Sequence, residues 1–158
     1  MSLKTTETTV TYFPSPGPAH TRAVLEAAAR RAKERKIDLV LVATCSGNTA
    51  LLARDIFPAE VQIIAITHVA GFAAPNTQEL TEVNRAALTG KGIPIFTGQH
   101  AFGGVGRAVR NKLNTYQVDE IMAYTLRTFG QGTKVAIEIA LMTADAGLVR
   151  TDQDVIAI

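Results

Sequence analysis

The sequence is short of the features that would place it outside a cell or in a membrane. It has one cysteine, Cys45, which cannot close an internal disulfide, so a reducing, cytoplasmic setting is the expectation. No apolar run approaches the roughly 18 residues that cross a bilayer, and no charged-then-apolar leader pattern opens the chain, so no membrane partner is expected. Charge of one sign is scarce: 16 Lys and Arg against 14 Asp and Glu leave a net +2. The densest basic group, Arg30, Arg31, Lys33, Arg35 and Lys36, falls at the end of a predicted helix. Cations there complement the helix dipole, and nucleic acid is not an expected partner. The 3 histidines have no carboxylate at ligand spacing, which points away from a metal site. Internal repeats, low-complexity tracts and linkers are also missing. A chain of 158 residues, 47% hydrophobic, then reads as one globular domain over 1–158, with 1–10 a polar, loosely held terminus.

What is there is organised around residues 37–50, IDLVLVATCSGNTA. The run 37–43 is apolar without alternation, the pattern of a strand buried on both faces. The chain then turns small and polar at Thr44, Cys45, Ser46, Gly47, Asn48 and Thr49, and helical spacing follows in Leu51, Leu52, Ile56 and Phe57. A strand, a short turn and a helix aim free backbone amides and the positive end of the helix dipole at one point, and the hydroxyls of Ser46 and Thr49 add donors. The expectation is a phosphate, part of a larger ligand, held by residues 44–49.

The remaining elements follow from local signals. Residues 14–18, Pro-Ser-Pro-Gly-Pro, forbid regular structure. Thr21 is placed as the N-cap of a helix reaching Lys36, with Val24, Leu25, Ala28, Ala29 and Ala32 on its buried face. Further strands are predicted over 61–67, 93–97 and 154–158, with Pro94 marking 93–97 as an edge strand. Further helices are predicted over 77–89, 105–113, 118–129 and 133–146. Alternating strands and helices imply parallel strands joined by right-handed crossovers, hence an α/β fold with a three-layer, open, mainly parallel sheet. Turns that follow strands fall at the carboxyl edge of such a sheet, where ligands bind at the point of strand-order reversal. The turns 16–21, 44–49, 68–76, 98–104 and 130–134 are therefore expected on one rim. With an order of 3-2-1-4 the reversal lies between the first and fourth strands.

At these residues the sequence resembles a known family. The segment TCSGNTALLARDIFP is similar to the phosphate-loop segment of the pyruvate kinase C-terminal domain. The segments YFPSPGPAHT, ITHVAGF, FTGQHAFGGVGRAV, TLRTFGQGTKVAIEIALMTADAGLV and TDQDVIAI are similar to those of small stand-alone proteins related to that domain, which lack the catalytic barrel. The resemblance implies a sheet of order 3-2-1-4-5 with an antiparallel last strand, and this sequence stops at Ile158, before that fifth strand. His20 stands where the stand-alone pattern has Asn. The resemblance further implies FMN as cofactor in the stand-alone proteins and a sugar-bisphosphate effector site in pyruvate kinase; a fourth strand left with a bare edge would invite pairing with another chain, and a homo-oligomer is expected.

The candidate binding residues are thus Thr44 to Thr49, joined by His68, Gly71 and Phe72, by His100, Phe102 and Gly103, and by Gln131, Gly132 and Lys134. The histidines can pack on a flat ring system, and Lys134 can meet a phosphate or a flavin carbonyl. Cys45 precedes a helix N-terminus, where a thiolate is stabilised, but a catalytic cysteine needs a base, and His68 or His100 would have to supply it. A small buried residue in a turn is the plainer reading of Cys45, and no catalytic residue is assigned. Glu138 follows Lys134 by four residues, the spacing of a helical ion pair. The functional expectation is a protein that binds FMN or another phosphorylated small molecule at the rim. The alternatives are a flavin-dependent enzyme relying on Cys45, His68 or His100, and a regulatory or oligomerisation module. Pyruvate kinase activity is not expected, because the barrel that carries it takes roughly 250 residues.

Overall fold

The computed structural model describes residue 5 and residues 7–158, so part of the expected loose terminus lies outside the described residues. Six α-helices and four strands are found among the described residues: α1 (Thr21–Arg35), β1 (Leu39–Ala43), α2 (Asn48–Ile56), β2 (Gln62–Thr67), α3 (Glu82–Gly90), β3 (Ile95–Thr97), α4 (Val105–Leu113), α5 (Val118–Arg127), α6 (Gln131–Asp145) and β4 (Ile156–Ala157). The strands form one sheet of order β3-β2-β1-β4, and every pairing is parallel. β3 is an edge strand, as Pro94 requires.

β1 is central and apolar because both of its faces are covered. Val40 and Val42 point into one core with Leu25 and Ala32 of α1, Ala50 and Ala53 of α2, and Leu88 of α3. Leu39 and Leu41 point into a second core with Ile139 and Met142 of α6. Successive residues of a strand face opposite ways, so one uninterrupted hydrophobic run serves two layers of helices. α1, α2 and α3 cover one face, and α6 covers the other. The join between α2 and β2 is tied by Arg54, whose guanidinium donates to the carbonyls of Val61 (2.8 Å), Phe57 (2.9 Å) and Pro58.

Some boundaries differ from the sequence expectation. Thr21 does not cap α1. Residues Pro18–His20 form a 3₁₀ turn that runs directly into the helix, and His20 occupies the cap position without a side-chain bond. α3 begins at Glu82, not 77: Thr81 is extended and its hydroxyl accepts from the Asn84 amide, which fixes the start there. Residues 77–81 are therefore loop. α6 starts two residues early, at Gln131 behind Gly130, whose φ of 117° suits only glycine. β4 is reduced to two paired residues, prolonged by backbone bonds from Ala43 N–H to Ile158 O (2.8 Å) and from Ile158 N–H to Leu41 O (2.9 Å).

Candidate functional site

Parallel strands that end together leave their following loops side by side, and here those loops enclose a cavity of about 150 Å³. Its floor is Ala43, Thr44 and Cys45 at the end of β1 and Ile66, Thr67 and His68 at the end of β2. Phe72 and His100 stand at its side. The opposite wall is one stripe of α6: Gln131, Lys134, Val135, Glu138, Ile139 and Met142 recur every three or four residues, the spacing of one helix face. Arg107 from α4 and Arg127 from the end of α5 close it.

Seven of the predicted residues are brought together here: Thr44, Cys45, His68, Phe72, His100, Gln131 and Lys134. Ser46, Gly47, Asn48 and Thr49 do not line the cavity. The Gly47 amide donates to the Thr44 hydroxyl (3.1 Å), and Asn84 of α3 donates to the Ser46 carbonyl and the Asn48 side chain, both at 2.8 Å. Gly47 has φ 99°, and a Cβ there would lie 2.8 Å from both Leu80 and Asn84; its glycine serves the close approach of α3. Gly71, Gly103 and Gly132 also lie off the cavity wall, as does the 16–21 turn. Phe102 is buried, and its amide donates to Glu138 (2.9 Å). The cavity sits over the ends of β1 and β2 on the α6 face, and no residue of β4 lines it.

Electrostatics set the character of this space. Lys134 and Glu138 are both buried and form an ion pair, the i,i+4 link the sequence spacing anticipates. Burial pushes the Lys134 ammonium down from its ordinary value, against the bond and charge of Glu138. Arg107 and Arg127 have no carboxylate within ion-pair distance among the described residues. Arg127 is held by the Gln131 amide oxygen (2.8 Å), and Arg107 lies 5.5 Å from the centre of the Phe72 ring. His100 is pushed below 6.5, mainly by burial; Glu138 opposes this, while His68, Lys134 and Arg107 add to it. Both guanidinium groups lie in segments that carry the family resemblance, but nothing in their spacing marks them as facing one cavity.

On the other wall, Cys45 Sγ lies 3.6 Å from His68 Nε2, and His68 Nδ1 lies 2.5 Å from a carboxylate oxygen of Glu79. His68 thus has a carboxylate partner, contrary to the expectation from spacing. Glu79 was hidden inside the overlong helix predicted from 77; the cap at Thr81 was the signal that would have left it in a loop. Cys45 is exposed, not a buried filler. The setting raises its thiol, through desolvation first and the Glu79 charge second, where a helix N-terminus alone would have lowered it. The three side chains offer ligand atoms within 4.8 Å of one another. The contact with Glu79 takes His68 Nδ1 and one carboxylate oxygen and leaves His68 Nε2 toward Cys45 Sγ.

No helix among the described residues is long and apolar enough to cross a membrane. The pyruvate kinase alpha/beta domain family matches residues 22–158. A crystal structure of Cryptosporidium parvum pyruvate kinase aligns with 92% of this chain at 18% identity and a TM-score of 0.41. The chain spans 21% of that protein's length. With the family matched over nearly the whole sequence, and a parallel 3-2-1-4 sheet beneath the match, the chain belongs to the pyruvate kinase alpha/beta domain family.

Proposed function

We propose that this chain binds a phosphorylated small molecule in the rim cavity, with FMN as a candidate. The observation that carries this reading is the pair of guanidinium groups, Arg107 and Arg127, facing one cavity without a carboxylate partner among the described residues. Two such groups near a shared space repel each other until an anion sits between them, and a guanidinium fork suits phosphate oxygens. At about 150 Å³ the enclosed space is smaller than the ~300 Å³ at which whole-ligand pockets begin. It therefore takes the phosphate end, and the remainder of the ligand lies across the mouth. Phe72, 42% exposed, and His100 offer ring faces there for a planar group. The loop 44–49 contributes through Thr44 and Cys45. Of the rest of that loop, the Gly47 amide is taken by the Thr44 hydroxyl, and the Ser46 carbonyl and Asn48 side chain are tied to Asn84 of α3.

The test is thermal denaturation of the protein with FMN, FAD, sugar phosphates and inorganic phosphate, together with the visible absorbance of natively purified protein. A rise in melting temperature with a phosphate compound, lost in Arg107→Ala/Arg127→Ala, is expected. No shift with any of them at millimolar level removes the reading.

The family context also favours an assembly role, and one observation supports it. Val105, Val118, Met122 and Leu141 are exposed and line an open groove formed by α4, α5 and α6. Exposed apolar residues gathered on one face mark an interface, and a second copy of this chain is the proposed occupant. Light scattering with and without phosphate ligands tests it; a monomer under both conditions refutes it.

A further inference from the structure

We propose that Cys45, His68 and Glu79 form a nucleophilic relay on the cavity wall, acting on the carbonyl carbon of an ester or thioester whose anionic group sits on Arg107 and Arg127. The location of the substrate rests on the anion-binding reading above; the relay itself does not.

The three side chains come from separate segments: the turn after β1, the end of β2 and the loop before α3. They stand in the order a base-assisted thiol needs. Glu79 as a carboxylate accepts from His68 Nδ1 at 2.5 Å, which places the ring proton on Nδ1 and leaves the Nε2 lone pair facing Cys45 Sγ at 3.6 Å. The ring cannot swing freely. It packs on Phe72 with centroids 4.0 Å apart, and the His68 carbonyl accepts from Gln78 Nε2 (2.9 Å) and from the Thr67 hydroxyl (3.0 Å). The nucleophile, base and orienting carboxylate each hold the position that such chemistry assigns them. Because desolvation and Glu79 raise the thiol, Cys45 rests protonated and gains nucleophilicity only as His68 removes its proton.

The step balances without an external oxidant or reductant. As Sγ bonds to the carbonyl carbon, its proton passes to His68 Nε2. The bond from that carbon to the ester oxygen or thioester sulfur then breaks, and the leaving group takes the proton from His68. Water attacks the resulting thioester on Cys45, again giving a proton to His68. The carboxylic acid leaves, and His68 returns the proton to the thiol.

The relay is tested by alkylation of Cys45 with iodoacetamide and by acylation with 4-nitrophenyl acetate, followed by mass spectrometry. In the wild type, iodoacetamide should react on the order of 100-fold faster than in His68→Gln, the scale of general-base assistance. Glu79→Gln should fall between the two, and Glu79→Asp should retain most of the rate. Circular dichroism confirms that each variant is folded. An acyl adduct should form on Cys45 in the wild type and not in His68→Gln. Equal alkylation rates in wild type, His68→Gln and Glu79→Gln overturn the relay. The anion site is read separately: iodoacetate should gain on iodoacetamide in the wild type and lose that gain in Arg107→Ala. Failure of that arm alone removes the anionic substrate and leaves the relay standing.

Discussion

Replacing Glu138 by Gln isolates the electrostatic part of the buried pair. Gln keeps an oxygen for the Phe102 amide, which Glu138 accepts at 2.9 Å, and keeps nearly the same volume. What it removes is the counter-charge of Lys134, whose side chain is 4% exposed. The ammonium then has Arg107 and Arg127 nearby as like charges, and only the water of the rim cavity to stand in for the carboxylate. Breaking a buried pair from one side costs about 3–5 kcal/mol. In a domain of this size a loss of 1 kcal/mol lowers Tm by roughly 2–4 °C, so Glu138→Gln should melt on the order of 10 °C below the wild type. Lys134→Met should lose a comparable amount, because it strands the carboxylate. The double variant Lys134→Met/Glu138→Gln leaves no charge to strand and should recover most of the loss, since apolar replacements of buried pairs are often near neutral. Urea midpoints for all four proteins close the cycle and give the coupling between the two sites. A loss under about 1 kcal/mol for Glu138→Gln, or a double variant no better than the sum of the singles, would show that the pair is not desolvated.

Other perturbations read other parts of the molecule. Gly47→Ala should cost about 2–4 kcal/mol in urea unfolding, since it combines a left-handed backbone with contacts of 2.8 Å to Leu80 and Asn84; a change below about 0.5 kcal/mol would mean α3 can yield. His100 gives a pH dependence. Its native value is held below 6.5, so below about pH 6.5 the unfolded chain binds more protons and stability falls as pH falls. The loss continues until the native form titrates too, and His100→Gln should flatten it; an unchanged slope rejects the assignment. Sulfate, doubly charged across this range, should raise the urea midpoint of the wild type. It should raise that of Arg107→Ala/Arg127→Ala less, by only the general effect of an excluded salt, and the ligand-free variant should stay within about 1 kcal/mol of wild type because it loses only the Gln131 bond and the Phe72 contact.

The frame of this fold was legible because it depends on one-dimensional signals. Val40 and Val42 against Leu39 and Leu41 make a run with no polar face, and only a strand covered on both sides can use it. Pro94 removes a donor and so places β3 at the edge. Strand order places the rim, and Cys45, His68, His100 and Lys134, each beside a strand end or helix start on it, line the cavity there. What could not be read is whatever depends on which neighbour a side chain meets. Lys134 looks like any first-turn lysine until Glu138 and the second core enclose it. Ser46-Gly47-Asn48 has the composition of an anion loop, yet α3 approaches closely enough for Asn84 to bond the Ser46 carbonyl and the Asn48 side chain. Glu79 is masked because its neighbours have helical spacing, and a single bond from the Asn84 amide to the Thr81 hydroxyl overrides that pattern. The same physics explains both outcomes. Backbone placement is set by hydrophobic periodicity, which is local. The partner of a charge is set by tertiary approach, so Arg107 and Arg127, although they lie in segments that carry the family resemblance, and Glu79, which lies outside them, give no local sign that they meet at one cavity.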